Sequence, residues 1–343
     1  METILLLVHT DSDGQLPRAA LETLTAARQT ASALGAAFSV GLVGADVSAA
    51  AASIANCGAA RFLAISGEQF ASARYATDAA AAEALARAAG ATLILAPGTS
   101  RWARVAAGVA QRLGGRVDTH STGIADGLKI TRWYYRQRME ASLTRSERPW
   151  IVLIDAGCFE GWQGEAGTPA VESVTVALTG AHNRTTVTGF QSPPSDAQTI
   201  RPDAELLFVT GAGWTKTQAD GKTHTPEAAK LILEFLGLTK ASLGSSKSLV
   251  DLSGEGQTVL PFLTHLNQVG QTGATPRHPK GLSTCCHGEE PHVVGWRFVN
   301  DRRAVSLDPN CGWARGKADV VYVADAFAVM AKVNALLTQQ PGG

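Results

Sequence analysis

Ile4-Leu5-Leu6-Leu7-Val8 is an unbroken apolar run, bounded by Thr3 and His9. Five residues are too few for a signal peptide core or a membrane span, and a short run of this kind reads as a buried strand. Working outward, further runs of the same sort recur at Phe38–Val43, Arg61–Ile65, Thr92–Ala96 and Trp150–Ile154. Between them lie Pro17–Leu34, Ser48–Asn56, Ala76–Ala89 and Arg101–Leu113, which place Ala and Leu at helical spacing. Gly35, Gly58, Gly90 and Gly114 stand just past their ends, as C-cap residues do. Strands alternating with helices predict a doubly wound α/β unit around a parallel sheet.

From about residue 156 the periodicity fades and Gly, Ser, Thr and Pro accumulate, as in Gly180–Asn183 and Gln191–Gln198, which predicts a linker region. One strand, Ser173–Leu178, is expected to belong to the first domain. The pattern restarts at Glu205–Thr210, followed by a helix over Thr225–Leu236 with Thr225 as N-cap and Pro226 at its first position. Ser248–Asp251, Gly281–Cys286, Arg303–Leu307 and Val320–Val323 read as further strands. The expectation is two Rossmann-like α/β domains, residues 1–200 and 201–343.

Composition narrows the function. The 343 residues carry 30 basic and 30 acidic side chains, so no net field draws in polyanions or an anionic membrane. The five cysteines are odd in number and scattered, unlike a disulfide framework, which suits a reducing cytoplasm. Cys285, Cys286, His287 and Cys311 invite a metal or iron–sulfur reading. Their spacing matches no standard framework, and adjacent strand residues point to opposite faces, so buried structural thiols are expected instead. No Ser-His-Asp order, phosphate loop or paired-carboxylate motif supports hydrolysis.

Four polar loops at expected strand ends carry the candidate chemistry: Gly211–Lys216, Ser245–Lys247, Gly270–Thr272 and His287–His292. Open α/β sheets place ligands at such ends. The third belongs to Gln268-Val269-Gly270-Gln271-Thr272-Gly273, where glycines beside Gln and Thr let backbone N–H groups and a hydroxyl approach a ligand closely.

That hexapeptide, with Val323-Ala324-Asp325 near the C-terminus and Leu95-Ala96-Pro97-Gly98-Thr99 in the first half, resembles the α subunit of electron transfer flavoproteins. The resemblance covers most of the chain. It implies FAD in the C-terminal domain, with Gly270, Gln271 and Thr272 on the flavin and Thr272 near N5. The family's Ser-Arg pair falls on Ser246 and Lys247, the latter keeping a positive charge near the pyrimidine edge. Its flavin-side His falls on His292, an Asn of its site becomes Ser306 with Asp308 retained, and Asp325 would meet the adenosine part. A cation or His donor there stabilises reduced flavin and so sets the carrier's potential.

The same resemblance implies a heterodimer with a β-like subunit, AMP in that partner in some members, a flavin dehydrogenase or demethylase as donor, and a downstream acceptor such as a quinone oxidoreductase. Arg132–Arg138, which interleaves Trp133, Tyr134 and Tyr135 with cations, reads as a strand contributing to the heterodimer contact rather than to nucleic acid. Two departures mark the chain as divergent. Ala212-Gly213-Trp214-Thr215 lacks the family's flavin-contacting Arg, and Cys285–His292 keeps only Gly288 and His292 of the corresponding family segment. The alternatives are a flavin-free structural subunit of a larger oxidoreductase complex, or an enzyme using His287, His292 and a cysteine for its own redox or metal chemistry.

Overall fold

A computed structural model describes residues 2–134, 139–189, 200–201, 204–251, 259–269, 277–284, 299–311, 314–315 and 318–339. The chain divides into two compact units, Met1–Gln191 and Ser192–Gly343.

In the first unit the apolar runs become parallel strands β1 (Ile4–His9), β2 (Phe38–Gly44), β3 (Arg61–Ser66) and β4 (Leu93–Pro97). The helices between them are α1 (Arg18–Leu34), α2 (Ser48–Ser53), α3 (Tyr75–Ala89) and, after β4, α4 (Ser100–Leu113). Every residue of β1 is buried. Ile4, Leu6 and Val8 pack with Ala20 and Leu24 of α1 in one core, while Leu5 and Leu7 pack with Leu85 of α3 and Trp102 of α4 in another. Each such side chain, fully buried, contributes about 1.5–3 kcal/mol, so a polar residue on either side of β1 would be costly. Gly35, Gly90 and Gly114 end α1, α3 and α4 in the left-handed conformation, as their place in the sequence predicts. Gly58 does not cap α2, which stops at Ser53 with Ile54 as its cap.

The sheet continues through β5 (Arg116–Ala125), β6 (Lys129–Tyr134), β7 (Met139–Leu143), β8 (Trp150–Ile154) and β9 (Val171–Ser173) in the order β7-β6-β5-β8-β4-β1-β2-β3-β9. Only β6 and β7 run antiparallel to their neighbours. The edge strand β9 covers Val171–Ser173 rather than Ser173–Leu178; just past it the Val174 N–H donates to Ala64 O at 2.8 Å.

The β5–β7 extension is fastened by one carboxylate. Asp118 of β5 is buried and accepts from Arg132 Nη1 at 2.9 Å, Arg145 Nη2 at 2.9 Å, Arg145 Nε, and Trp150 Nε1 at 2.9 Å. It thereby ties β6, β8 and the exit from β7 to β5.

The second unit holds β10 (Leu206–Thr210), α5 (Thr225–Thr239), β11 (Ser242–Ser245), α6 (Lys247–Asp251), β12 (His278–Thr284), β13 (Val299–Ser306), β14 (Val320–Val323) and α7 (Ala326–Gln339). Its strands are all parallel, in the order β11-β10-β12-β13-β14. Phe208 faces the core with Ile232 of α5 and Met330 of α7, and Leu207 and Val209 face the other side with Val269 and Val299.

Three expectations are corrected. Residues Ser248–Asp251 belong to helix α6, not a strand, because Ser246 Oγ accepts the Leu249 N–H at 3.2 Å and caps a helical turn. The N-cap of α5 is His224, so Thr225 and Pro226 lie one position further into the first turn. β11 and α7 were not anticipated; Ser-Leu-Gly-Ser has no apolar run to announce a strand.

Burial by itself would raise the Asp118 carboxyl, but hydrogen bonds from Arg145 and Trp150, with the nearby charges, outweigh it and hold the group below its ordinary value. A folded pKa below the unfolded one stabilises above about pH 4 and is lost as pH falls through the folded value. Asp118→Ala should cost about 3 kcal/mol at neutral pH, since it strands two arginines. Thermal midpoints of wild type and variant measured from pH 7 to pH 3 should converge at the acid end; a constant gap would show that the charge is not what holds the extension.

Candidate flavin site

The second sheet reverses its winding between β10 and β12, since β11 lies on one side of β10 and β12 on the other. The carboxyl ends of strands flanking such a point form the ligand crevice of open α/β sheets. The loops there are drawn together by backbone bonds: Ser246 N–H donates to Thr210 O at 2.8 Å, and Gly211 N–H to Thr284 O at 2.9 Å.

Gln268 and Val269 run alongside β11 as a further short parallel segment. Gln268 bridges Ser245, Val269 N–H donates to Ser245 O at 3.1 Å, and buried Asn267 anchors through Nδ2 to Leu243 O at 3.1 Å. Glycine at 244 permits this approach, because a Cβ there would lie 2.7 Å from Val269 Cγ1. The hexapeptide therefore enters at the C-terminal edge of the sheet. Its Gly270, Gln271 and Thr272 lie outside the described residues, as do His292, Cys285, Cys286, His287 and Gly288.

The remaining expected residues all stand at this same edge, and each also has local work. Ser246 caps α6, and exposed Lys247 opens it. Ser306, the buried last residue of β13, closes a turn with Asp308, whose N–H lies 3.3 Å from Ser306 Oγ. Asp325, just past β14, accepts the Ala328 N–H at 3.0 Å and so caps α7. Structural roles account for part of why these residue types stand there, without conflicting with a ligand on their outer side.

Two residues of the candidate loops were given no role from the sequence. Ser245, at the end of β11, is buried, and its hydroxyl has no hydrogen-bond partner among the described residues. An orphaned buried hydroxyl beside the hexapeptide fits a site made for a polar ring edge. Sequence offered only the polar Ser-Ser-Lys loop as a signal. Trp214 is fully buried, donates from Nε1 to Thr284 Oγ1 at 2.8 Å, and packs on Phe327 with ring centres 4.7 Å apart. The loop after β10 thus turns an aromatic inward where the family pattern offers a cation nearby.

Among the described residues no cluster of three or more His, Cys, Asp or Glu side chains has metal-binding geometry. Likewise, among the described residues no helix is long and apolar enough to cross a membrane.

Gly244→Ala should force Val269 away from β11 and lower stability by about 1–3 kcal/mol, as overpacking does. Urea unfolding checks it; an unchanged midpoint would mean that the hexapeptide does not depend on this contact.

A family model described as the electron transfer flavoprotein domain matches residues 4–179. No curated protein gives a significant match. With that model spanning half of the chain and a doubly wound first unit beneath it, the protein belongs to the electron transfer flavoprotein family.

Proposed function

We propose that the chain is an α-type subunit whose C-terminal domain, residues 201–343, holds FAD. One observation carries this reading: Gln268-Val269 is seated against β11 at the sheet edge where Ser246, Lys247, Ser306 and Asp325 also stand. The ends of β11, β13 and β14 and the start of the motif share the carboxyl edge of one sheet. FAD, when bound, supplies reversible electron uptake and release, which the protein's own side chains cannot perform.

In this reading Gly270, Gln271, Thr272 and His292 line the flavin with Ser246 and Lys247, while Ser306 and Asp325 stand toward its adenosine part. Lys247 brings a positive charge to this edge of the sheet. A cation in this place favours the more negatively charged, reduced form of a neighbouring redox group. The proposal extends to a β-like partner subunit, with AMP in that subunit, a flavin dehydrogenase or demethylase as donor, a quinone oxidoreductase or similar acceptor, and a cytoplasmic setting.

The competing reading, a flavin-free structural subunit, rests on the loop after β10, which buries Trp214 and presents no cation among residues 211–215. The two separate in one preparation. Protein co-expressed with its β-like partner should carry FAD, seen by absorbance and confirmed by mass spectrometry, and should be reduced and reoxidised reversibly. Flavin-free protein that still co-purifies with a dehydrogenase would establish the structural reading instead. Lys247→Ala should lower the potential by about 60 mV, a tenfold change in a one-electron equilibrium; spectroelectrochemistry that finds no shift would remove Lys247 from the flavin's surroundings.

A further inference from the structure

Three hydroxyls stand in a row across the carboxyl end of the second sheet. Ser245 of β11 pairs with Thr210 of β10, and Thr210 with Thr284 of β12. Cross-strand partners share a face, so the three side chains lie on one side of the sheet. All three residues are fully buried. The loop after β10 lies over the row, because Trp214 Nε1 donates to Thr284 Oγ1 at 2.8 Å.

Two of the hydroxyls follow one rule. Thr210 Oγ1 donates to Gly244 O at 3.1 Å, and Thr284 Oγ1 to Val209 O at 3.3 Å, so each bonds to the neighbouring strand one residue before its own partner. The neighbour of Ser245 on its other side is Gln268, and the rule would send Ser245 Oγ to Asn267 O. Residues His265–Asn267 form a 3-10 turn, however, and the ladder does not extend that far. Ser245 Oγ is left with no partner among the described residues.

Leaving a buried hydroxyl unbonded costs stability that an alanine would spare. This one holds the last position of β11, beside Gln268 and one residue before Ser246, where the chain turns into the candidate site. The acceptor that it suits is a neutral one. Phosphate oxygens are matched by cations or by several N–H groups together, whereas a lone hydroxyl is a single neutral donor. A carbonyl oxygen or bare nitrogen of a ring asks for one such donor, and Lys247, two residues on, already brings the charge to this edge.

We infer that Ser245 donates a hydrogen bond to the ring of the bound FAD, beyond the contacts ascribed to Ser246 and Lys247. The inference rests on the reading that residues 201–343 hold FAD.

The test compares the full chain, co-expressed with its β-like partner, as wild type, Ser245→Ala and Ser245→Cys. Two readouts move in opposite directions when the hydroxyl serves the ligand. Stripped of flavin, Ser245→Ala should melt at a higher temperature than wild type, since an unbonded buried hydroxyl has gone. In titrations with FAD it should bind about fivefold more weakly, the usual effect of one lost hydrogen bond, with the flavin absorption bands displaced. Ser245→Cys keeps the volume but is a weak donor, and should bind FAD as Ser245→Ala does. Unchanged FAD affinity in Ser245→Ala, wild-type affinity in Ser245→Cys, or a lower melting temperature of flavin-free Ser245→Ala would each overturn the inference while leaving the FAD reading in place. Wild-type protein that neither carries nor binds FAD would overturn both.

Discussion

The structure of the first unit depends on one requirement: both faces of β1 must be kept from water. Ile4, Leu6 and Val8 demand a cover on one side, Leu5 and Leu7 on the other, and only helices crossing over both faces of a parallel sheet supply it. Parallel crossovers then send every loop that follows a strand to the same edge. The second unit repeats the constraint around β10, with Phe208 in one core and Leu207 and Val209 in another. Crevices at the strand ends are thus by-products of burial, and chemistry occupies what packing has already opened.

The β5–β7 extension obeys a different rule. Its outer strands are half exposed, and beside the apolar anchors Leu128 and Ile130 a buried carboxylate with two arginines and an indole N–H holds them in place. Such a network specifies one arrangement, because the buried Asp118 carboxylate left without its donors would be a desolvated charge.

The two crevices differ in chemistry despite their shared origin. The strand ends of the second unit carry Lys247 and the hydroxyls of Ser245, Ser246 and Ser306. The crevice of the first unit gathers four carboxylates, Asp11, Asp13, Asp46 and Glu68, with its arginine, Arg101, paired to Asp78. A common fold therefore says little about ligand; side chains at corresponding loop positions decide it.

Local pattern was enough for β1, β2, β3, β4 and β8, and for α1, α3 and α4 with their terminal glycines, because an apolar run or a helical stripe states its own burial. Where the signal is short or polar it failed: Ser248–Asp251 became a helix once Ser246 capped it, and Ser242–Ser245 became a strand with no apolar run to show it. What only the tertiary structure decided is which loops meet. Strand order places β11 and β12 on either side of β10, and Gly244 admits Val269 beside β11, contacts between segments far apart in the chain. Periodicity along a segment reports which faces are buried, but neighbours across a sheet are chosen by long-range packing, and on that choice both crevices depend.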